Sequence, residues 1–229
     1  MKKWISMLLC VLLSLSLAAC GQTETPEEPP VDATMVTVTI ASAGELAVTA
    51  QTIAVTDRDE DGALTISDAI ATAHSAFYPS GAEGYATEMT DYGLSMQKLW
   101  GVENGGSYGY YVNNASAFSL TDPIADGDYV AAYSYADLTA WSDIYTYFND
   151  CVVVPGEVTL TLSQAAFDEN WNPVTLPVNL AEILINGEAT GYYTDEHGDV
   201  TLTVAAGDVI SAAVDGMVIV PPVCVVVGQ

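Results

Sequence analysis

Residues 35–77, MVTVTIASAGELAVTAQTIAVTDRDEDGALTISDAIATAHSAF, change their hydrophobic period once, and that change sets the fold class. Over 35–40 apolar and polar side chains alternate, which is the period of a strand with one face buried, and residues 46–55 continue in the same manner. After the acidic stretch, Ile66, Ile70, Ala73 and Phe77 fall three or four residues apart, on one face of a helix. Pro79 and Gly81 stop that helix. Further strands are expected at 99–102, 108–113 and 129–135, separated by turns at Gly105-Gly106 and Asp126-Gly127. Residues 82–95 carry no clear period, and a short helix is expected within 91–96. Beyond residue 150 the pattern is all strand, at 158–162, 181–185, 200–204, 209–214 and 223–227, punctuated by Asn186-Gly187, His197-Gly198 and Asp215-Gly216. The expected fold class is therefore mainly β. A β-rich α+β domain with one helix occupies 35–149, and an antiparallel β-sandwich occupies 150–229.

The loop between the second strand and the helix, Asp57-Arg58-Asp59-Glu60-Asp61-Gly62-Ala63-Leu64-Thr65-Ile66-Ser67-Asp68, has the spacing of a calcium cage. Calcium takes six to eight hard oxygens, and a loop with carboxylates at positions 1, 3 and 5 wraps them about one point. Asp57, Asp59 and Asp61 hold those places, Gly62 makes the turn, the Ala63 carbonyl adds a ligand and Asp68 closes the set. The alternative is an acidic turn that only caps the helix. The loop resembles the EF-hand and, more closely, the calcium loop of dockerin modules. It departs from them in its leading strand, in aspartate rather than glutamate at the last position, and in occurring once. The expected cofactor is Ca²⁺, holding the strand to the helix.

The chain carries 30 acidic residues against 4 Lys and Arg, for a formal net charge of −26. Such a surface repels nucleic acid and anionic headgroups. Lys2 and Lys3 precede an apolar run from Trp4 to Leu17, and Leu17-Ala18-Ala19-Cys20 is the lipoprotein form of a signal-peptide cleavage site. Residues 1–19 are thus expected to be a leader. Residues 20–34 are expected to be a lipidated Cys20 plus a Pro- and Glu-rich tether that holds the protein outside a bacterial membrane. Of the four cysteines, Cys151 and Cys224 remain in the folded part. In an oxidising compartment they are expected to form a disulfide, two buried thiols being the alternative.

The run Gly106-Ser107-Tyr108-Gly109-Tyr110-Tyr111-Val112-Asn113-Asn114, followed by Asp126-Gly127-Asp128-Tyr129-Val130, resembles the transcobalamin-like C-terminal domain family, with the calcium loop and helix as an insertion. The resemblance implies a binding domain and, in the vitamin B12 carriers, cover for one face of a corrinoid. Trp100, Tyr108, Tyr110, Tyr111 and Tyr133 are the candidate stacking surface for such a ligand, the alternative being ordinary sheet packing. Residues 183–204, ILINGEATGYYTDEHGDVTLTV, resemble immunoglobulin-like or prealbumin-like spacer modules.

No catalytic constellation stands out. The two histidines, His74 on the helix and His197 in a turn, lie far apart in sequence, and there is no nucleophile elbow, zinc helix or phosphate loop. His74 is expected to be a partly exposed helix residue. The expected function is a calcium-binding, membrane-tethered surface module, not an enzyme. It would engage an extracellular macromolecule or capture a corrinoid-like small molecule, with a spacer protein or a glycan hydrolase as rivals.

Overall fold

The computed structural model describes residues 33–105 and 107–228. The leader, Cys20 and the tether up to residue 32 lie outside the described residues. The first half comprises β1 (Met35–Ser42), β2 (Glu45–Ala54), α1 (Ile66–Phe77), a 3₁₀ turn at Gly81–Gly84, β3 (Ala86–Thr90), β4 (Gly93–Lys98), β5 (Tyr108–Val112), β6 (Ala115–Ser116) and β7 (Tyr129–Ser134). Five of these strands form a sheet in the order β2-β1-β7-β5-β6, in which β1 and β7 run parallel and the other pairs antiparallel.

The strand period sends this sheet's side chains to two different cores. Val36, Val38 and Ile40 of β1, Val130 and Ala132 of β7, and Tyr108, Tyr110 and Val112 of β5 pack with Ile66, Ala69, Ile70 and Ala73 of α1. The intervening Ala41, Ala131, Tyr133 and Tyr111 point the other way, onto Tyr145 and Val220 of the second half. Gly109 sits between Tyr108 and Tyr110 because a Cβ there would collide with the Tyr133 ring.

The second half comprises β8 (Ile144–Phe148), β9 (Val152–Val153), β10 (Gly156–Phe167), β11 (Pro173–Pro177), β12 (Glu182–Ile185), β13 (Glu188–Tyr193), β14 (Asp199–Val204), β15 (Val209–Ala213), β16 (Ile219–Val220) and β17 (Cys224–Val226). One sheet runs β11-β10-β8-β16 with β14 also on β10, and the other runs β13-β12-β15-β17-β9. They close over a shared core that includes Leu160, Leu162, Ile183, Leu202 and Ile210. The chain is mainly β, as its alternation indicates. The sandwich is not wholly antiparallel, because β16 joins β8 and β17 joins β9 in parallel. β8 precedes the boundary expected at 149/150, yet its partners are β10 and β16. The described residues from 33 to 228 form one compact unit.

Two local expectations give way to turn chemistry. Residues 91–96 are not helical, since β3 and β4 pair as a hairpin whose turn has Gly93 at φ +105°. Residues 99–102 make a tight turn with reciprocal Leu99–Val102 backbone hydrogen bonds of 3.1 and 2.9 Å, and Trp100 and Gly101 both take positive φ. Positive φ at both central positions is the hairpin turn that matches strand twist. Cys151 and Cys224 are free thiols, one half-buried and one buried, beside the registered Val152–Val225 pair. Burial pushes both thiols up, Cys224 to about 12, which disfavours the thiolate that begins exchange.

His74 departs furthest from its expected role. It is fully buried, while Phe77, placed on the apolar face by its spacing, is exposed. His74 Nδ1–H donates to the Ile70 carbonyl at 2.8 Å, and Nε2 accepts the Trp100 N–H at 2.9 Å. The ring also stacks on Tyr85, with centroids 5.3 Å apart. It therefore pins α1 to the 99–102 turn and over-determines the left-handed Trp100. Burial lowers the His74 pKa, because a charged ring loses hydration and a doubly protonated one cannot accept from Trp100. The folded value lies below the unfolded one, so the unfolded chain binds the extra proton first. Stability is then full above the unfolded pKa of about 6.5 and declines as the pH falls from there towards the depressed folded value. Denaturant melts across this range should show that loss, and His74→Gln should flatten the slope while lowering stability at neutral pH by about 2 kcal/mol.

Candidate metal centre

The acidic loop is shaped first by its own backbone. Glu60 and Gly62 take positive φ, at +60° and +87°, so the chain doubles back between Asp59 and Ala63. The Gly62 N–H donates to Asp57 Oδ2 at 2.9 Å, and the Ala63 N–H donates to Asp61 Oδ1 at 2.8 Å. On the exit side the loop is tied to the connection between β6 and β7. Ile124 N–H donates to the Leu64 carbonyl at 3.0 Å, and Ile66 N–H to the Asp122 carbonyl at 3.1 Å.

That folding brings Asp57, Asp59 and Asp61 together, with one carboxylate oxygen from each lying within 4.8 Å of the others. Calcium sits about 2.3–2.6 Å from its ligand oxygens, so ligands of one ion cannot be much more than about 5 Å apart. The three carboxylates meet that limit. Asp57 Oδ1 is shielded from solvent and has no hydrogen-bond partner among the described residues. A carboxylate oxygen denied both water and a donor is costly unless a cation faces it. The all-oxygen donor set suits a hard dication.

The titration of the cluster has the same cause. Asp57 is held below the usual carboxylate range, chiefly by the Gly62 N–H. Asp59 is pushed up by partial desolvation and then by the negative charge of Asp61. A bound dication would reverse the repulsion acting on Asp59.

Of the other expected ligands, Ala63 keeps its place in the loop, and its carbonyl accepts no hydrogen bond among the described residues. Asp68 is committed elsewhere. Its Oδ1 accepts the Arg58 N–H at 2.7 Å, while its Oδ2 accepts the Thr65 N–H at 3.0 Å and the Thr65 hydroxyl at 2.7 Å. Thr65 in turn accepts the Asp68 N–H at 3.3 Å, completing a capping box at the start of α1. The short aspartate side chain at the third helical position reaches its own helix cap with Oδ2, while Oδ1 is occupied by the Arg58 N–H of the loop. Asp68 thus couples the first residues of the loop to the helix and lies outside the three-carboxylate cluster.

The five candidate aromatic residues do not share a surface. Tyr108 and Tyr110 face the α1 core, and the Tyr108 hydroxyl donates within 2.8 Å of the Gln97 and Val102 carbonyls. Trp100 packs on His74 and Tyr78. Tyr111 and Tyr133 lie on the opposite sheet face, where Tyr111 stacks on Tyr145 at 3.7 Å. Residues 108–111 belong to one strand, so adjacent tyrosines necessarily part company. Tyr145 and Tyr147, which sequence spacing did not single out, complete the stack from the other half. His197 is exposed in its turn, 3.7 Å from Glu196.

The chain matches no family model, no curated protein and no solved structure.

Replacing Asp68 with Ala should cost about 1–2 kcal/mol in denaturant unfolding through the lost cap. The loss should be equal in calcium and in chelator, whereas a loss seen only in calcium would make Asp68 a ligand.

Proposed function

We propose that this protein is a calcium-stabilised binding module displayed outside a membrane on lipidated Cys20. The observation carrying the calcium reading is the solvent-shielded, unpartnered Oδ1 of Asp57, a member of the Asp57–Asp59–Asp61 cluster. Asp57, Asp59 and Asp61 would supply carboxylate oxygens, the Ala63 carbonyl a further one, and water the rest. The ion would offset two of the three crowded negative charges and fix the β2-to-α1 connection, leaving the sheet's opposite face unaffected. The address rests on Lys2, Lys3, the following apolar run and Leu17-Ala18-Ala19-Cys20. Among the described residues no helix is long and apolar enough to cross a membrane. Binding is favoured over catalysis because His74 is spent on structure and His197 stands alone and exposed.

Calorimetry on chelator-treated protein tests the metal. One Ca²⁺ should bind with a Kd of about 10⁻⁴–10⁻³ M, the range of extracellular modules, and millimolar calcium should raise the melting temperature. Asp57→Ala combined with Asp61→Ala should abolish both effects. Absence of heat and of any melting shift in the unaltered protein overturns the calcium reading.

A further inference from the structure

A second feature lies where the β5–β6 turn faces the β10–β11 hairpin. Between them runs a groove of about 560 Å³, within the usual size of a small-ligand site. The aromatic rings of Tyr111, Tyr147 and Phe167 border it, together with Asn114, Ser116 and Thr175. Ala165, on the same face of β10 as Phe167, also lines it, and its small side chain leaves the space open.

Its aromatic end is held in water by construction. In the hairpin loop, Asp168 Oδ1 accepts the N–H groups of Asn170 and Asn172 at 2.8 and 2.9 Å, and Oδ2 accepts Asn172 Nδ2 at 3.0 Å. Trp171, at φ +63°, donates its N–H to the Asp168 carbonyl at 3.0 Å. The loop is thus fixed with Phe167 58 % and Trp171 82 % exposed, their ring centroids 6.3 Å apart. Paired exposed rings on a hydrogen-bonded loop beside a groove mark a contact surface.

The polar groups are placed at the rim. The Tyr145 hydroxyl donates to Asn114 Oδ1 at 2.9 Å, which orients the amide and leaves its Nδ2 as a donor. The Tyr147 and Thr175 hydroxyls share one hydrogen bond of 3.0 Å and so retain a second proton between them. None of the residues lining the groove is charged, although the chain has 30 acidic residues.

We propose that this groove binds a neutral oligosaccharide. A pyranose ring offers an apolar C–H face to an aromatic side chain and hydroxyls to amides and hydroxyls at the rim. A sulfated, phosphorylated or uronic sugar would meet an acidic surface with no lining cation. An extended peptide is disfavoured as occupant: the bordering edge strand β6 has two residues, and β11 begins and ends in proline, so neither offers a ladder to extend. The proposal rests on the binding-module reading but not on calcium.

The test is titration of the protein with neutral hexasaccharides (cello-, malto-, laminari-, manno- and chitohexaose) and with an uncharged extended peptide, read by tryptophan fluorescence and calorimetry. Each titration is run in calcium and again in chelator. Saturable binding of at least one saccharide is expected. Phe167→Ala, at an exposed position that should leave the melting temperature unchanged, should weaken it by about tenfold. Ala165→Leu, which fills the groove, should weaken it further. Silence across the saccharides at millimolar concentration, binding indifferent to Phe167→Ala, or binding of the peptide in their place overturns the proposal. Saccharide binding without a calcium response would sink the metal reading alone, and the reverse would sink this one alone.

Discussion

The parallel pair β1 and β7 lies inside the first sheet with both faces covered, and the remaining elements take their places from it. Val36, Val38, Ile40, Val130 and Ala132 fill one side with α1, and Ala41, Ala131 and Tyr133 fill the other against β8 and β16. A strand buried on both faces cannot slip register without moving one set of side chains into the wrong core. The helix and the second half are therefore located by the same few residues. Thr39, on the second face, is nearly fully buried and uses its hydroxyl to accept the Ala50 N–H at 3.2 Å, so its polarity is satisfied inside the packing.

The connection from β2 to α1 shows how polar groups complete what apolar burial begins. Ile66, Ala69, Ile70 and Ala73 fasten the helix to the sheet, but its first turn is closed by Thr65 and Asp68, and its later turns by His74. Asp68 and His74 are both buried and both have their hydrogen-bonding capacity used by named partners. Asp57 Oδ1 lacks such a partner, and this difference separates a carboxylate whose hydrogen bonds hold structure from one whose oxygen is left without a donor. The aspartates of the loop look alike in sequence and differ because only Asp68 sits on the helix.

Aromatic residues are divided in a comparable way. Trp100, Tyr85 and Tyr78 enclose His74 on the helix side. Tyr111, Tyr133, Tyr145 and Tyr147 stack where the halves meet. The Phe167 and Trp171 rings stand outside either core. The meeting face is thus built largely from tyrosines, whose rings pack while hydroxyls such as that of Tyr145 reach a polar partner at the edge.

The mainly β class, the span of α1, most strands and the convergence of Asp57, Asp59 and Asp61 were legible in the sequence. Each depends on local spacing: period two, period 3.6, or alternate carboxylates around a turn glycine. The 91–96 hairpin and the Trp100-Gly101 turn were not: the first bends at Gly93 with open space around it, and the second is held by His74 from a distant helix. Nor was the role of His74, whose partner Trp100 lies 26 residues away. The capping commitment of Asp68, the affiliation of β8 with the second half, and the groove beside Phe167 likewise depend on which distant segments come to lie together. Spacing along the chain determines which face a side chain takes. Only the tertiary structure decides what that face meets, since burial and hydrogen-bond partners come from residues far away in sequence.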